Sequence, residues 1–190
     1  MKVAKVNAGT DLADPAAQAW SSVAAEAVAL APVALAAQPT EYIREAWANR
    51  AYGKTAEAKV AVASDGNKLY VRVEWADDAK PNTEFQDAVG AVLGDGDLAT
   101  LGNAKSPLSL WYWENGRGAL NLVAKGPGVF SKAEAGAVSG AGANSGGKWA
   151  AVLSGPASAA KGKLGVAVWN GSNEERAGLA AVSRAWLPLE

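Results

Sequence analysis

Lys59-Val60-Ala61-Val62-Ala63-Ser64-Asp65-Gly66-Asn67-Lys68-Leu69-Tyr70-Val71-Arg72-Val73-Glu74-Trp75 is the stretch that decides the fold. Both arms alternate apolar and polar or small residues with a period of two, the repeat of a strand with one buried face. Between them, Ser64 to Asn67 supplies side chains that tolerate positive φ and close a tight turn. The stretch therefore reads as an antiparallel hairpin. Leu69, Val71, Val73 and Trp75 face the core, and Tyr70, Arg72 and Glu74 face water.

Similar short runs recur on both sides of this hairpin. Downstream, residues 77–82 form a turn-rich break, and strands are expected over 87–93, 107–113, 119–124, 148–154, 163–169 and 181–187. A tight turn at 114–118 joins the second and third strands of this region. Upstream, residues 2–7 read as an edge strand. Asp14-Pro15 opens a helix running to Trp20, because proline suits the first helical position. Residues 22–35 read as a short helix followed by a short strand, since Pro32 forbids one long helix. Gly126 to Gly147 holds seven glycines and reads as a long surface loop. About nine short strands with few helices indicate a mainly β protein, an antiparallel β-sandwich with a few short helices. At 190 residues it forms a single domain over 1–190.

Composition removes whole classes of chemistry. There is no Cys and no His, and Met1 is the one methionine. Cys/His zinc sites, iron–sulfur ligation, thiol nucleophiles, covalent haem attachment and Ser-His-Asp triads all need residues that are missing. The chain is therefore expected not to be an enzyme in its own right. Eighteen basic and nineteen acidic residues are scattered singly, so no basic stripe exists for nucleic acid or an anionic membrane. The apolar run 23–37 carries Glu26 and Pro32 and is too short to span a bilayer. The amino terminus starts directly in alternating sequence, unlike a signal peptide. An Asp95-Gly96-Asp97 pair invites a calcium reading but lacks the remaining oxygen ligands, which favours a solvated loop.

Three further segments carry a resemblance. They are Leu101-Gly102 through Trp111-Tyr112-Trp113, the strand Lys163-Leu164-Gly165-Val166-Ala167-Val168-Trp169, and the run Asn170-Gly171-Ser172-Asn173-Glu174-Glu175-Arg176-Ala177-Gly178 that follows it. Together with the Val71 to Trp75 strand and the Asp14-Pro15 entry, they resemble the haem b-binding γ subunits of the ethylbenzene dehydrogenase and dimethylsulfide dehydrogenase family, over nearly the whole chain. The Trp-Asn-Gly-x-Asn-x-Glu-Arg run is the most specific part. The resemblance implies a β-sandwich holding one haem b, partnered by a molybdenum catalytic α subunit and an iron–sulfur β subunit. It also implies electron exchange with an external carrier such as a cytochrome c. The expected location is the periplasm, reached by export with a signal-bearing partner subunit.

In that family a lysine amine and a methionine sulfur hold the iron. The matching lysine is Lys163, and the methionine position falls on Leu101, which has no lone pair to offer. On a strand, Lys163, Gly165, Ala167 and Trp169 share one face. Gly165 and Ala167 leave room there for a flat group, whereas a plain strand-end lysine in water is the reading without the resemblance. Trp111 is a candidate haem wall, with core filling as its default role. Lys105 and Arg176 are candidate propionate partners or plain loop charges. Two other functions compete with electron transfer. One is a haem-free structural or assembly subunit, which Leu101 favours. The other is a carbohydrate-binding sandwich, which requires several solvent-facing tryptophans.

Overall fold

The computed structural model describes residues 1–77, 84–133 and 137–190. Among these residues, thirteen strands form two sheets packed face to face. The first sheet is built on the hairpin of β3 (Glu57–Ser64) and β4 (Lys68–Ala76), whose register sets Lys59 opposite Glu74 and Val62 opposite Val71. β1 (Val3–Lys5) lies parallel to β3 on one side, and β10 (Lys148–Pro156) and β9 (Ser139–Ser145) extend the sheet antiparallel on the other. The second sheet runs β8 (Phe130–Lys132), β7 (Gly118–Ala124), β6 (Leu108–Glu114), β5 (Ala88–Leu93), β11 (Lys163–Trp169) and β12 (Ala181–Ser183). The short β13 (Leu187–Pro188) also pairs with β11. β2 (Ala25–Pro32) joins the sheets, pairing with β3 through Ala25–Ala29 and with β12 through Leu30–Pro32.

Strand alternation builds the main core. Val60, Val62, Val71, Val73, Trp75, Trp149 and Leu153 from one sheet meet Val89, Leu93, Trp111, Trp113, Leu164, Val166 and Val168 from the other. Trp149 stacks on Trp75 with ring centroids 6.0 Å apart and meets Trp113 edge-on at 5.6 Å. The expected hairpin and the mainly β sandwich are thus found.

Four local expectations are corrected. The outer face of the hairpin is not simply wet. Residues 12–23 fold over it, packing Leu12, Trp20 and Val23 on Ala61, Ala63 and Val152, and Arg72 Nε donates to Pro15 O at 2.8 Å. The helix expected from Pro15 is a turn followed by a 3₁₀ helix at Gln18–Ser22. Beyond Ser22, the last residue of that 3₁₀ helix, no helix occupies the start of 22–35. The strand β2 runs from Ala25, because pairing with β3 satisfies its backbone and buries Val28 and Leu30, overriding alanine's helix propensity.

The Gly-rich stretch is the fourth correction. Among its described residues it is not one loop, since β8 and β9 lie within it. The period-two glycines Gly140 and Gly142 face inward, and Trp113 occupies the space a side chain would take. A Cβ on Gly142 would stand inside van der Waals contact with the Trp113 ring. Composition suggested a loop where the glycines serve packing. The expected turn at 77–82 lies outside the described residues from 78 onward. Among the described residues one α-helix went unread, α1 (Glu41–Ala46), whose cap is Thr40 accepting from Ile43 N at 3.3 Å.

Candidate functional site

β11 is buried along both faces, so the candidate site depends on what covers its outer side. Leu164, Val166 and Val168 point into the main core, while Ala167 and Trp169 belong to a second apolar cluster outside the sheet. That cluster also takes Leu108 and Leu110 from β6, and it is roofed by Val33, Leu98, Leu101 and Ala180 from connecting segments. The structure therefore brings Lys163, Gly165, Ala167, Trp169 and Leu101 to one side of the sheet. Trp111 does not join them. It lies on the inner face against Gly155, where a Cβ would stand 2.6 Å from its ring.

The roof over β11 is the connection from Gly94 to Pro107. Its turn is knit internally. Gly102 N donates to Asp97 O at 2.7 Å and Leu101 N to Leu98 O at 3.1 Å, while Gly126 N donates to Leu101 O at 3.2 Å. Leu101 is fully buried at φ 55°, the left-handed region that costs a non-glycine residue about 1–2 kcal/mol. Backbone strain at a residue aimed into an apolar cluster marks a position held by its surroundings.

Lys163 stands at the amino end of β11. Its ammonium meets Asp95 Oδ1 at 2.9 Å and lies 4.8 Å from the Trp186 ring centroid. That ammonium, by hydrogen bonding and by charge, holds the Asp95 carboxyl below the usual aspartate range. Asp95 is thus a partner of Lys163, and Asp97 caps its own turn through Ala99 N at 3.0 Å and Thr100 Oγ1 at 2.9 Å. No cluster of three or more metal-ligating side chains exists among the described residues. Beside Lys163, the space left by Gly165 is filled by Leu98, whose Cδ1 stands 2.5 Å from where a Cβ would sit.

The carboxyl end of β11 is organised differently. Trp169 Nε1 donates to Ala177 O at 2.9 Å, folding the chain back on itself. Glu175, 1 % exposed, receives Asn170 N at 2.9 Å, Lys54 N at 3.2 Å and Asn173 Nδ2 at 3.0 Å. Asn170 Oδ1 caps Asn173 N at 3.0 Å. Asp87 Oδ1 accepts from Gly171 N at 2.9 Å and Asp87 Oδ2 from Trp149 Nε1 at 3.0 Å. Gly171 is required because a Cβ there would press on the Phe85 carbonyl. The most specific run of the resemblance is therefore a structural clip. Arg176 stacks on Phe85 at 4.2 Å and donates to Glu174 O at 2.8 Å, and Lys105 is an exposed loop charge.

Sequence reasoning missed Asp95, Leu98 and Trp186, which surround Lys163 and its strand. Their positions depend on loops folding over the sheet, for which no periodic signal exists. The carbohydrate alternative loses its requirement, because seven of the eight tryptophans are less than a tenth exposed. A haem, expected from the resemblance, meets a one-sided donor set. Lys163 Nζ is a nitrogen donor beside an apolar cluster, whereas Leu101, buried in that cluster, offers no donor atom. Lys163 is the residue that would hold a haem, and here its amine is taken by Asp95 while Leu98 fills the space beside Gly165.

No family profile matches the chain. It is 30 % identical to a haem subunit assigned to the respiratory nitrate reductase of Haloferax mediterranei, over 89 % of this chain and 65 % of that protein. It is 29 % identical to the chlorate reductase γ subunit of Ideonella dechloratans, over 96 % of this chain and 81 % of that one. Against the dimethylsulfide dehydrogenase γ subunit of Rhodovulum sulfidophilum the figures are 27 %, 67 % and 58 %. The chain thus spans less than two thirds of the first and third of these relatives. Among solved structures, a family 9 carbohydrate-binding module of Caldicellulosiruptor kristjanssonii in complex with glucose superposes at a TM-score of 0.55. That match covers 100 % of this chain and 95 % of the module at 14 % identity, a likeness of fold alone. On these sequence relationships the chain belongs to the γ-subunit family of molybdenum oxidoreductases that includes the chlorate reductase and dimethylsulfide dehydrogenase γ subunits.

Proposed function

We propose that this chain is the electron-transfer γ subunit of a heterotrimeric molybdenum oxidoreductase, non-catalytic itself and binding one haem b through Lys163. Its partners are a molybdenum α subunit and an iron–sulfur β subunit, and an external carrier such as a cytochrome c takes or supplies electrons. The periplasm is the proposed location, with export alongside a signal-bearing partner. The observation that carries the reading is the placement of Lys163. It sits at the end of an otherwise apolar strand face, beneath the loop that brings in Leu101, and its charge is met by an exposed carboxylate rather than a buried one.

A bound haem b supplies reversible one-electron iron chemistry, at a potential lowered by the missing thioether. The protein's part is to bind and shield. To hold the iron, Lys163 would have to leave Asp95 and give up a proton to present a nitrogen lone pair. Trp186 packs beside the amine, and Leu101, Ala167 and Trp169, which share one apolar cluster, would shield the group from water. A second reading, a haem-free assembly subunit, draws on two observations: Leu101 has no donor atom, and Leu98 fills the Gly165 gap.

A haemochrome assay per copy of this chain in the purified native complex separates the two. Stoichiometric haem b that falls away in Lys163→Ala supports electron transfer, and Leu101→Met should then convert the spectrum to a six-coordinate form and raise the potential. An assembled complex with no haem sinks that reading in favour of the haem-free subunit.

A further inference from the structure

The ladder between β3 and β4 ends at Lys59 and Glu74, although β3 begins at Glu57 and β4 continues to Ala76. The strands part there, and the gap opens into a cavity of about 400 Å³ that shares no lining residue with the Lys163 face. Two buried polar side chains line it without a hydrogen-bond partner, Trp75 through Nε1 and Thr55 through Oγ1. Trp75 is 3 % exposed and Thr55 7 % exposed. The segment that carries Thr55 is pinned on either side, by Lys54 N to Glu175 Oε1 at 3.2 Å and Leu30 N to Ala56 O at 2.8 Å. The cavity is therefore built into the fold.

The chemistry of the lining selects an acceptor. An indole N–H can only donate, and so can an ammonium. Lys54, Lys59 and Lys148 stand around the opening. Of the two carboxylates there, Glu74 is paired with Arg72 Nη2 at 2.6 Å, leaving Glu57 against three cations. Ala56, Ala58 and Ala76 supply apolar walls, and the volume lies within the range of small-ligand sites. Because the Trp75 ring is stacked on Trp149 and buried, it offers no open face, which disfavours a sugar stacked on a flat platform.

We infer that the gap between β3 and β4 binds a small organic carboxylate. Its carboxylate accepts from Trp75 Nε1–H and the Thr55 hydroxyl, and its hydrocarbon body lies against the alanines. The lysines complement its charge at the mouth.

The test follows the indole N–H resonance of Trp75 in the ¹⁵N-labelled full chain, assigned by its loss in Trp75→Phe, during titration with succinate at constant ionic strength. A saturable displacement with a Kd of about 1 mM or below is expected. Thr55→Val and the double variant Lys59→Gln/Lys148→Gln should each weaken it by about tenfold, the order of one charge-assisted hydrogen bond. Failure of the resonance to move up to tens of millimolar succinate would overturn the inference. So would equal or stronger displacement by inorganic phosphate, or a succinate response that both variants leave unchanged. If Trp75→Phe does not fold, assignment from sequential correlations in the wild-type chain keeps every outcome readable.

Discussion

The two ends of β11 hold their charged residues in opposite ways. At the carboxyl end, Glu175 and Asp87 are buried carboxylates that accept from backbone and indole N–H groups and tie the chain there to its neighbours. At the amino end, Lys163 is held by an ion pair to an exposed aspartate and by the face of Trp186. Buried carboxylates with several donors are costly to disturb, whereas exposed ion pairs contribute little and exchange readily. The fixed end therefore serves the scaffold. The exchangeable end is the one that can change partners, as ligation by Lys163 would require.

Glu175→Ala should have the largest effect on this contrast. It strips an acceptor from Asn170 N, Lys54 N and Asn173 Nδ2 in a buried place, and about 3 kcal/mol of stability should be lost in denaturant unfolding. Glu175→Gln, which keeps one oxygen acceptor, should lose about half as much. If the alanine variant unfolds at the wild-type midpoint, the clip is not a structural lock.

Gly165→Ala tests how firmly the roof is seated at the other end. The new methyl meets Leu98 Cδ1, and about 1–2 kcal/mol should be lost, most of it recovered in Gly165→Ala/Leu98→Ala. Absence of coupling between the two sites in that cycle would mean that Leu98 does not close the face. Leu101→Met is smaller still. It conserves volume in a buried site, so a change under about 1.5 kcal/mol is expected, and a larger loss would show that this position no longer accepts the longer side chain.

The smallest effect is electrostatic and is read by carboxyl NMR rather than by stability. Asp95 should titrate below the ordinary aspartate range because of the Lys163 ammonium, and should return to that range in Lys163→Ala. A depressed acid contributes stability above its unfolded pKa and loses it as pH falls through the folded value, so the ion pair should weaken only in strong acid. Unchanged titration in Lys163→Ala would remove Asp95 as the partner of the lysine.

Much of the scaffold was legible in residue order. The hairpin at 59–75, the turn at 114–118 and the strand at 163–169 were readable because alternation and turn chemistry are local signals. The Gly-rich region misled, since a glycine placed to admit Trp113 looks the same in sequence as a glycine in a loop. Ala25–Pro32 misled for a related reason: alanine's helical preference is weaker than the hydrogen bonds and burial that a neighbouring strand supplies.

The sequence by itself determined the period of the hairpin strands and of the strand at 163–169, the absence of histidine and cysteine ligands, and the shared face of Lys163, Gly165 and Ala167. These follow from composition and from the two-residue repeat of extended backbone. Only the tertiary structure decided that Leu98 fills the space beside Gly165, that Asp95 holds the lysine, that Trp111 lies on the other side of the sheet from them, and that β3 and β4 part beneath Thr55. Each depends on which loop settles on which sheet face, and that is fixed by the packing of residues far apart in the chain.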